Sequence, residues 1–234
     1  MALPLRHELK YFIGRAQYLV LRSSLLGVLK VDPNAAKRGG EYSIRSLYFD
    51  TVFDSAYYDK LNGVKDRDKY RMRIYNGSQT DIYMECKTKV ESCISKRSVK
   101  IPRSLADQLI AADPSGLEYT SNGLLRDIFR EMRVNLLHPA VIVDYDREAY
   151  LHPAEEVRIT FDKNLRTGLN SVDLFNVEIP TIPVMDDELI ILEVKYNRAL
   201  PRYIADMISF CCPEIVQTAI SKYTMCRRYE GKEA

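Results

Sequence analysis

Apolar and polar residues alternate with a period of two along nine stretches of the chain, at 6–13, 42–50, 68–76, 81–89, 93–101, 141–150, 156–163, 174–179 and 188–196. These stretches are rich in Tyr, Ile, Val and Phe, which predicts strands with two chemically different faces. Helical spacing is confined to 15–30, 104–112 behind a Ser104 cap, 121–137 and 201–229, with Pro213 dividing the last into two helices. No solenoid repeat is visible, and no Pro/Gly/Ser-rich break separates two halves. The pattern predicts a single domain over 1–234, of class α+β, with a large antiparallel sheet and four or five helices outside it.

A sandwich would line its inner faces with Val, Leu and Ile. Here one face of each strand is ionic. Glu8 and Lys10 lie two apart and share a face, whereas Leu9 and Tyr11 point the other way. The same Glu-x-Lys recurs as Glu85 and Lys87 in YMECKTK and as Glu193 and Lys195 in LIILEVKYN. Arg71 and Arg73 in YRMRIY form a two-arginine version, and Tyr145 with Arg147, or Arg158 with Thr160 and Asp162, alternate in the same way. One such pair is ordinarily a solvated face with a weak ion pair. Three of them embedded in apolar strands suggest a charged interior, which is stable only around water, ions or an anionic ligand, because an unpaired buried charge costs several kcal/mol. A closed eight-stranded barrel with a wet, basic lumen meets that condition.

Composition narrows the class further. Net charge is +2 and hydrophobic content 46% in 234 residues, as in an ordinary globular protein, so a histone-like coat for nucleic acid is not expected. No apolar run approaches the roughly 20 residues needed to span a bilayer. The start, MALPLRHELKYFI, places charge where a secretory signal would be apolar, so the expected location is cytoplasmic. Five cysteines without a CxxC pair, and three scattered histidines, suggest neither disulfides nor a zinc site.

Lys10, Arg71, Arg73, Lys87, Lys96, Arg147, Arg158 and Lys195 would converge if the strands close. Arginine forks and mobile lysine charges together suit a polyanion such as a triphosphate or a phosphate chain. Carboxylates among them would repel phosphate unless a hard cation, Mg²⁺ or Mn²⁺, stood between, which makes Glu193 and Glu8 the first candidates as metal ligands, ahead of Glu85. P-loop and Rossmann glycine motifs are absent, and so is a GxSxG elbow. Phosphoryl transfer needs mainly positioning and charge neutralisation, and this inventory supplies both.

RHELKYFI, SLYFDT, YRMRIY, YMECKTK, DYDREAY, RITFDKNL, LEVKYN and SKYTMCRRY, in this order from about residue 6 to 229, resemble the VTC (vacuolar transporter chaperone) catalytic domain. That family is the polyphosphate polymerase branch of the CYTH-like triphosphate tunnel metalloenzymes. The resemblance implies a tunnel of eight antiparallel strands, with Lys10, Arg71, Arg73, Lys87, Arg147, Arg158 and Lys195 on phosphate and Glu193 on the metal. Lys222 of SKY resembles a lysine that closes over the tunnel mouth. Lys96 is the next wall residue, with Arg97 and Lys100 competing for that alignment. Arg71, Arg73, Lys87, Lys195 and Lys222 are the residues expected to act on the reacting phosphates.

Hydrolytic relatives begin with ExExK, whereas the first of those positions here is Arg6, which argues against a simple triphosphatase. Fungal members add an inositol-phosphate sensor and membrane helices, so membrane coupling is expected from a separate partner. The function expected is therefore transfer of the γ-phosphate of ATP to a growing polyphosphate chain, with a divalent metal. The rivals are a triphosphatase acting on inorganic or nucleoside triphosphate, and a sensor that binds polyphosphate or nucleotide without turnover. If Arg71 and Arg73 hold phosphate, Arg71→Ala or Arg73→Ala should each weaken triphosphate binding by about 1.5–3 kcal/mol in titration calorimetry. Unchanged binding in both would place their side chains away from the ligand.

Overall fold

A computed structural model describes residues 6–90, 93–153 and 156–231. Along the chain the elements are β1 (His7–Gly14), α1 (Arg15–Leu26), β2 (Lys30–Val31), α2 (Pro33–Ala36), β3 (Glu41–Asp50), α3 (Ser55–Leu61), β4 (Arg67–Tyr75), β5 (Ile82–Val90) and β6 (Cys93–Ile101). They continue with α4 (Arg103–Ile110), α5 (Gly123–Val134), β7 (His138–Leu151), β8 (Arg158–Thr167), β9 (Ile182–Pro183), β10 (Leu189–Tyr196), α6 (Arg202–Cys211) and α7 (Lys222–Tyr229). The α+β class is as the alternation predicts. The strand path runs β1-β10-β8-β7-β3-β4-β5-β6, with the two-residue strands β2 and β9 attached to β7 and β8.

The expected closed eight-stranded barrel is corrected to an open ten-stranded sheet: β1 and β6 are the ends of the path and do not pair among the described residues. At β1 the reason is visible. The segment after α6 runs beside it, with the Thr218 N–H donating to the Lys10 carbonyl at 2.9 Å and Lys10 Nζ donating to the Ile220 carbonyl at 3.2 Å. That edge is thus met by irregular chain instead of a strand. A second correction concerns 174–179, expected as a strand and found as turns. Leu174 and Phe175 are apolar because they are buried in a core, while the Asn176 side chain accepts from the Glu178 N–H in an Asx turn. The last helical stretch does break near Pro213, with α6 ending at Cys211 and α7 resuming only at Lys222.

Contacts divide the chain into two units. One comprises the described residues within Met1–Ser43, Tyr145–Leu165 and Met185–Ser221; the other those within Ile44–Asp144, Arg166–Val184 and Lys222–Ala234. In the first unit, Ile13, Ile159, Phe161, Leu192 and Val194 occupy one strand face and pack with Tyr18, Leu21 and Leu25 of α1 and Ile204 and Ile208 of α6. In the second, Leu47, Phe49, Met72, Ile74, Met84 and Cys86 pack with Ala106 and Leu109 of α4 and Leu124, Leu125 and Ile128 of α5. Asn122 caps α5 by accepting from the Leu124 and Leu125 N–H groups. All five cysteines are thiols. No described helix is long and apolar enough to cross a membrane.

The first unit also holds a buried polar knot. Glu148, 6% exposed, accepts from Tyr18 Oη, from Arg22 Nε at 2.8 Å, from Tyr150 Oη at 2.8 Å and from Lys163 Nζ at 2.8 Å. Burial alone would raise its pKa, but these donors bring it from the usual 4.5 down to about 2. Its stabilising effect is therefore complete above about pH 4.5 and fades as pH falls towards 2. Glu148→Gln should lower stability by about 3 kcal/mol at neutral pH. It should also flatten the loss of stability between pH 4.5 and 2 in denaturant titrations. An unchanged acid slope would show that this knot does not govern acid sensitivity.

Candidate functional site

In both units the strand face opposite the apolar cores formed with α1, α6, α4 and α5 is ionic, because the period-two alternation that sends Leu9, Leu192 and Met72 into the cores sends their charged neighbours the other way.

On the first unit, strand register fixes the arrangement. Glu8 lies opposite Lys195, and Lys195 opposite Arg158; in the next row Lys10 lies opposite Glu193, and Glu193 opposite Thr160. Charges of opposite sign thus alternate along and across β1 and β10. Lys195 Nζ donates to Glu193 Oε2 at 2.5 Å and lies 3.9 Å from Glu8 Oε1, whereas Lys10 Nζ is 3.5 Å from Glu8 Oε1 and 3.4 Å from Glu193 Oε1. Arg147 forks onto Asp162 through Nε and NH2, each at 2.6 Å, and NH2 also approaches Glu193 at 3.6 Å. Arg158 NH2 reaches Asp32 and the Tyr42 hydroxyl, both at 3.0 Å.

Electrostatics follow from this packing. Burial lowers the Lys195 pKa and outweighs the attraction of Glu193 and Glu8, leaving it at about 8, with Arg147 adding repulsion. Arg147 moves the other way: burial opposes its charge, but Asp162 and Glu193 hold it firmly protonated. Lys195 and Arg158 also form part of the wall of a cleft of about 380 Å³, together with Arg6, His152, Tyr196 and Asn197.

On the second unit the order of charges differs. Lys69 lies opposite Lys87, and Lys87 opposite Lys96, so three lysines stand side by side on three adjacent strands. The next row is Tyr48, Arg71, Glu85 and Ser98, and the one after it Ser46, Arg73, Tyr83 and Lys100. Glu85, 2% exposed, receives Arg71 NH2 at 2.7 Å and Lys96 Nζ at 2.7 Å, with Arg73 NH1 at 3.9 Å. Burial pushes the Glu85 pKa up, but Arg71, Arg73 and Lys96 together pull it far below the carboxylate range. Arg71 NH1 donates to Tyr48 Oη at 2.9 Å, and Arg73 Nε to Ser46 Oγ at 3.0 Å. Burial would raise the Tyr48 pKa, yet Arg71, Arg73 and Lys222 bring it below the ordinary tyrosine value.

The sequence-expected residues therefore fall into two groups. Glu8, Lys10, Arg147, Arg158, Glu193 and Lys195 come together on the first unit, and Arg71, Arg73, Lys87, Lys96 and Glu85 on the second. Lys96 points to the ionic face, whereas Arg97 lies on the opposite face and pairs with Asp127 of α5. Lys100 shares the parity of Lys96 but pairs with Asp81 at 2.6 Å. Lys222 is buried at the first position of α7. The alternation does not single out Lys69, Ser46 or Tyr48 for this face, although their even spacing from Arg71 or from one another holds the signal; a strand tyrosine such as Tyr48 reads from sequence as packing.

Among the described residues no group of three or more His, Cys, Asp or Glu side chains could hold a metal. A closed, all-protein metal cage is therefore not available there. Glu8 and Glu193 offer two hard carboxylates, which is the donor set of an open Mg²⁺-type site completed by water and phosphate oxygens.

The family model described as the VTC domain matches residues 5–229, so the chain belongs to that family. Comparison with curated proteins returns no match. Among solved structures, the adenylyl cyclase-like protein HpAC1 from Hippeastrum, described as having a dominant triphosphatase activity, is 14% identical with a TM-score of 0.54. The match covers 97% of this chain and 96% of that one and shows a shared fold. PH1819 from Pyrococcus horikoshii is 12% identical over 95% of this chain and 98% of its own, with a TM-score of 0.47. A protein from Bacillus halodurans described as an adenylate cyclase candidate is 11% identical over 90% and 89%, with a TM-score of 0.48.

Proposed function

We propose that this protein is a divalent-metal-dependent polyphosphate polymerase that moves the γ-phosphate of ATP onto the end of a phosphate chain. The observation that carries this reading is the row Lys69, Lys87 and Lys96. Like charges directly opposite across strands repel, and although Lys96 also pairs with Glu85, three in succession present a strip of positive charge complementary to a polyanion. The next two rows along the same face add Arg71 and Arg73, whose guanidiniums, held by Glu85, Tyr48 and Ser46, add positive charge for phosphate oxygens.

The two faces suit different tasks. The second unit, with three cations around Glu85, provides a strip for successive phosphates of a polyanion. The first unit provides Lys10, Arg147, Arg158 and Lys195 for phosphate oxygens, and Glu8 and Glu193 would hold Mg²⁺ or Mn²⁺. A divalent cation bound there supplies charge neutralisation to the phosphates. Lys10 and Lys195 already pair with both carboxylates and so hold them in place before ligand arrives. Lys222, at the start of α7, adds positive charge beside Tyr48, where a transferring phosphoryl group would be held. Asp162 holds Arg147 by a two-point bond, so this guanidinium is oriented in advance, which lowers the cost of binding. Phosphoryl transfer on such a site proceeds by alignment and electrostatic stabilisation, without covalent participation of the protein.

Purified protein incubated with ATP and Mn²⁺ should release ADP and form polymer, and Glu193→Gln should reduce the rate at least about 100-fold. Orthophosphate without polymer would make the protein a triphosphatase. Tight tripolyphosphate binding with no product at all would make it a sensor.

A further inference from the structure

β8 carries an unused pair of donors on the ionic face. Thr160 is completely buried, and its Oγ1 has no hydrogen-bond partner. Two residues earlier on the same face, Arg158 Nε is likewise buried and without a partner, although NH2 of the same guanidinium is engaged by Asp32 and Tyr42. Their neighbours in register are Glu193 opposite Thr160 and Lys195 opposite Arg158.

A buried hydroxyl left unsatisfied costs stability. Valine has nearly the shape of threonine and is equally suited to a strand, so a position that served only packing would favour valine over a side chain bearing this hydroxyl. Elsewhere on the same face the polar groups are satisfied: Arg147 forks onto Asp162, and Glu193 accepts from Lys195. On this face the mismatch lies on β8, among strands that also carry Lys10 and Lys195.

We infer that the Thr160 hydroxyl and Arg158 Nε–H together form a phosphate-oxygen subsite, with the hydroxyl donating to one oxygen of a bound phosphate chain. This rests on the reading of the ionic face as a phosphate site and adds the residue that reads the chain through a neutral donor. Two positions along one strand face are separated by about 6.6 Å, so the two donors engage different oxygens of the chain. A neutral hydroxyl next to Glu193 has a particular use there: it contacts the ligand without adding another cation to compete for that carboxylate.

The test uses the full chain and inorganic tripolyphosphate, comparing wild type with Thr160→Val and Thr160→Ser by titration calorimetry, with the melting temperature of each measured without ligand. Thr160→Val should bind about tenfold more weakly, as expected for one lost hydrogen bond. Its ligand-free melting temperature should equal or exceed that of wild type, because an unsatisfied group has been removed. Thr160→Ser should restore most of the affinity. Equal binding by Thr160→Val and wild type would overturn the subsite while leaving the ionic face as a phosphate site. Weaker binding accompanied by a lower ligand-free melting temperature, not repaired by serine, would make Thr160 structural and also overturn it. Failure of wild type itself to bind tripolyphosphate would remove the phosphate reading and the subsite with it.

Discussion

Placing several like charges on neighbouring strands is the constraint from which the rest of this structure follows. Lys69, Lys87 and Lys96 stand directly opposite one another, and Arg71 and Arg73 continue the same face. Strand pairing fixes their backbone positions at the short cross-strand spacing of an antiparallel sheet, and Glu85, paired with Lys96, relieves part of the repulsion. The sheet tolerates this because its other face is secured independently: Leu47, Met72, Ile74 and Met84 are fully buried against α4 and α5. Burial of such side chains contributes about 1.5–3 kcal/mol each, which exceeds the cross-strand penalties of the ionic face. Apolar packing on one side thus permits electrostatic strain on the other.

The two units handle buried charge differently. On the first, Glu8, Lys10, Glu193 and Lys195 alternate in sign, and Arg147 is locked onto Asp162, so the face is internally matched. On the second, a single carboxylate, Glu85, gathers Arg71, Arg73 and Lys96. A matched face can supply carboxylates for a divalent cation together with cations for phosphate. A face dominated by cations is complementary to a polyanion alone. Both follow from residue parity on the strands.

Parity is the most legible property of the sequence. Glu8 with Lys10, Glu85 with Lys87 and Glu193 with Lys195 can be put on one side from spacing alone, because a strand has an invariant period of two. What happens between strands is not legible in the same way. The lysine row depends on which residue of β5 meets which residue of β4 and β6, and no single strand encodes that register, so Lys69 does not stand out in the sequence. Thr160 is hidden for a related reason: a threonine in a strand is unremarkable until its hydroxyl is seen to lack a partner. Closure is overestimated from sequence because alternation reports the chemistry of a face and carries no information on what meets an edge; the Thr218–Lys10 backbone bond at β1 has no sequence signature. The misplaced strand at 174–179 arises from Leu174 and Phe175, whose burial reflects a turn pressed into the core. Helices α2 and α3 span only Pro33–Ala36 and Ser55–Leu61, too short for a helical period to emerge.

These features converge on one claim, that the ionic strand faces exist to hold phosphate. The most direct measurement is a crystal structure of the protein grown with inorganic tripolyphosphate. The account predicts phosphate oxygens within hydrogen-bonding distance of Arg71 and of at least one member of the lysine row. A tripolyphosphate bound only at exterior sites, with both ionic faces retaining solely their internal ion pairs, would contradict it.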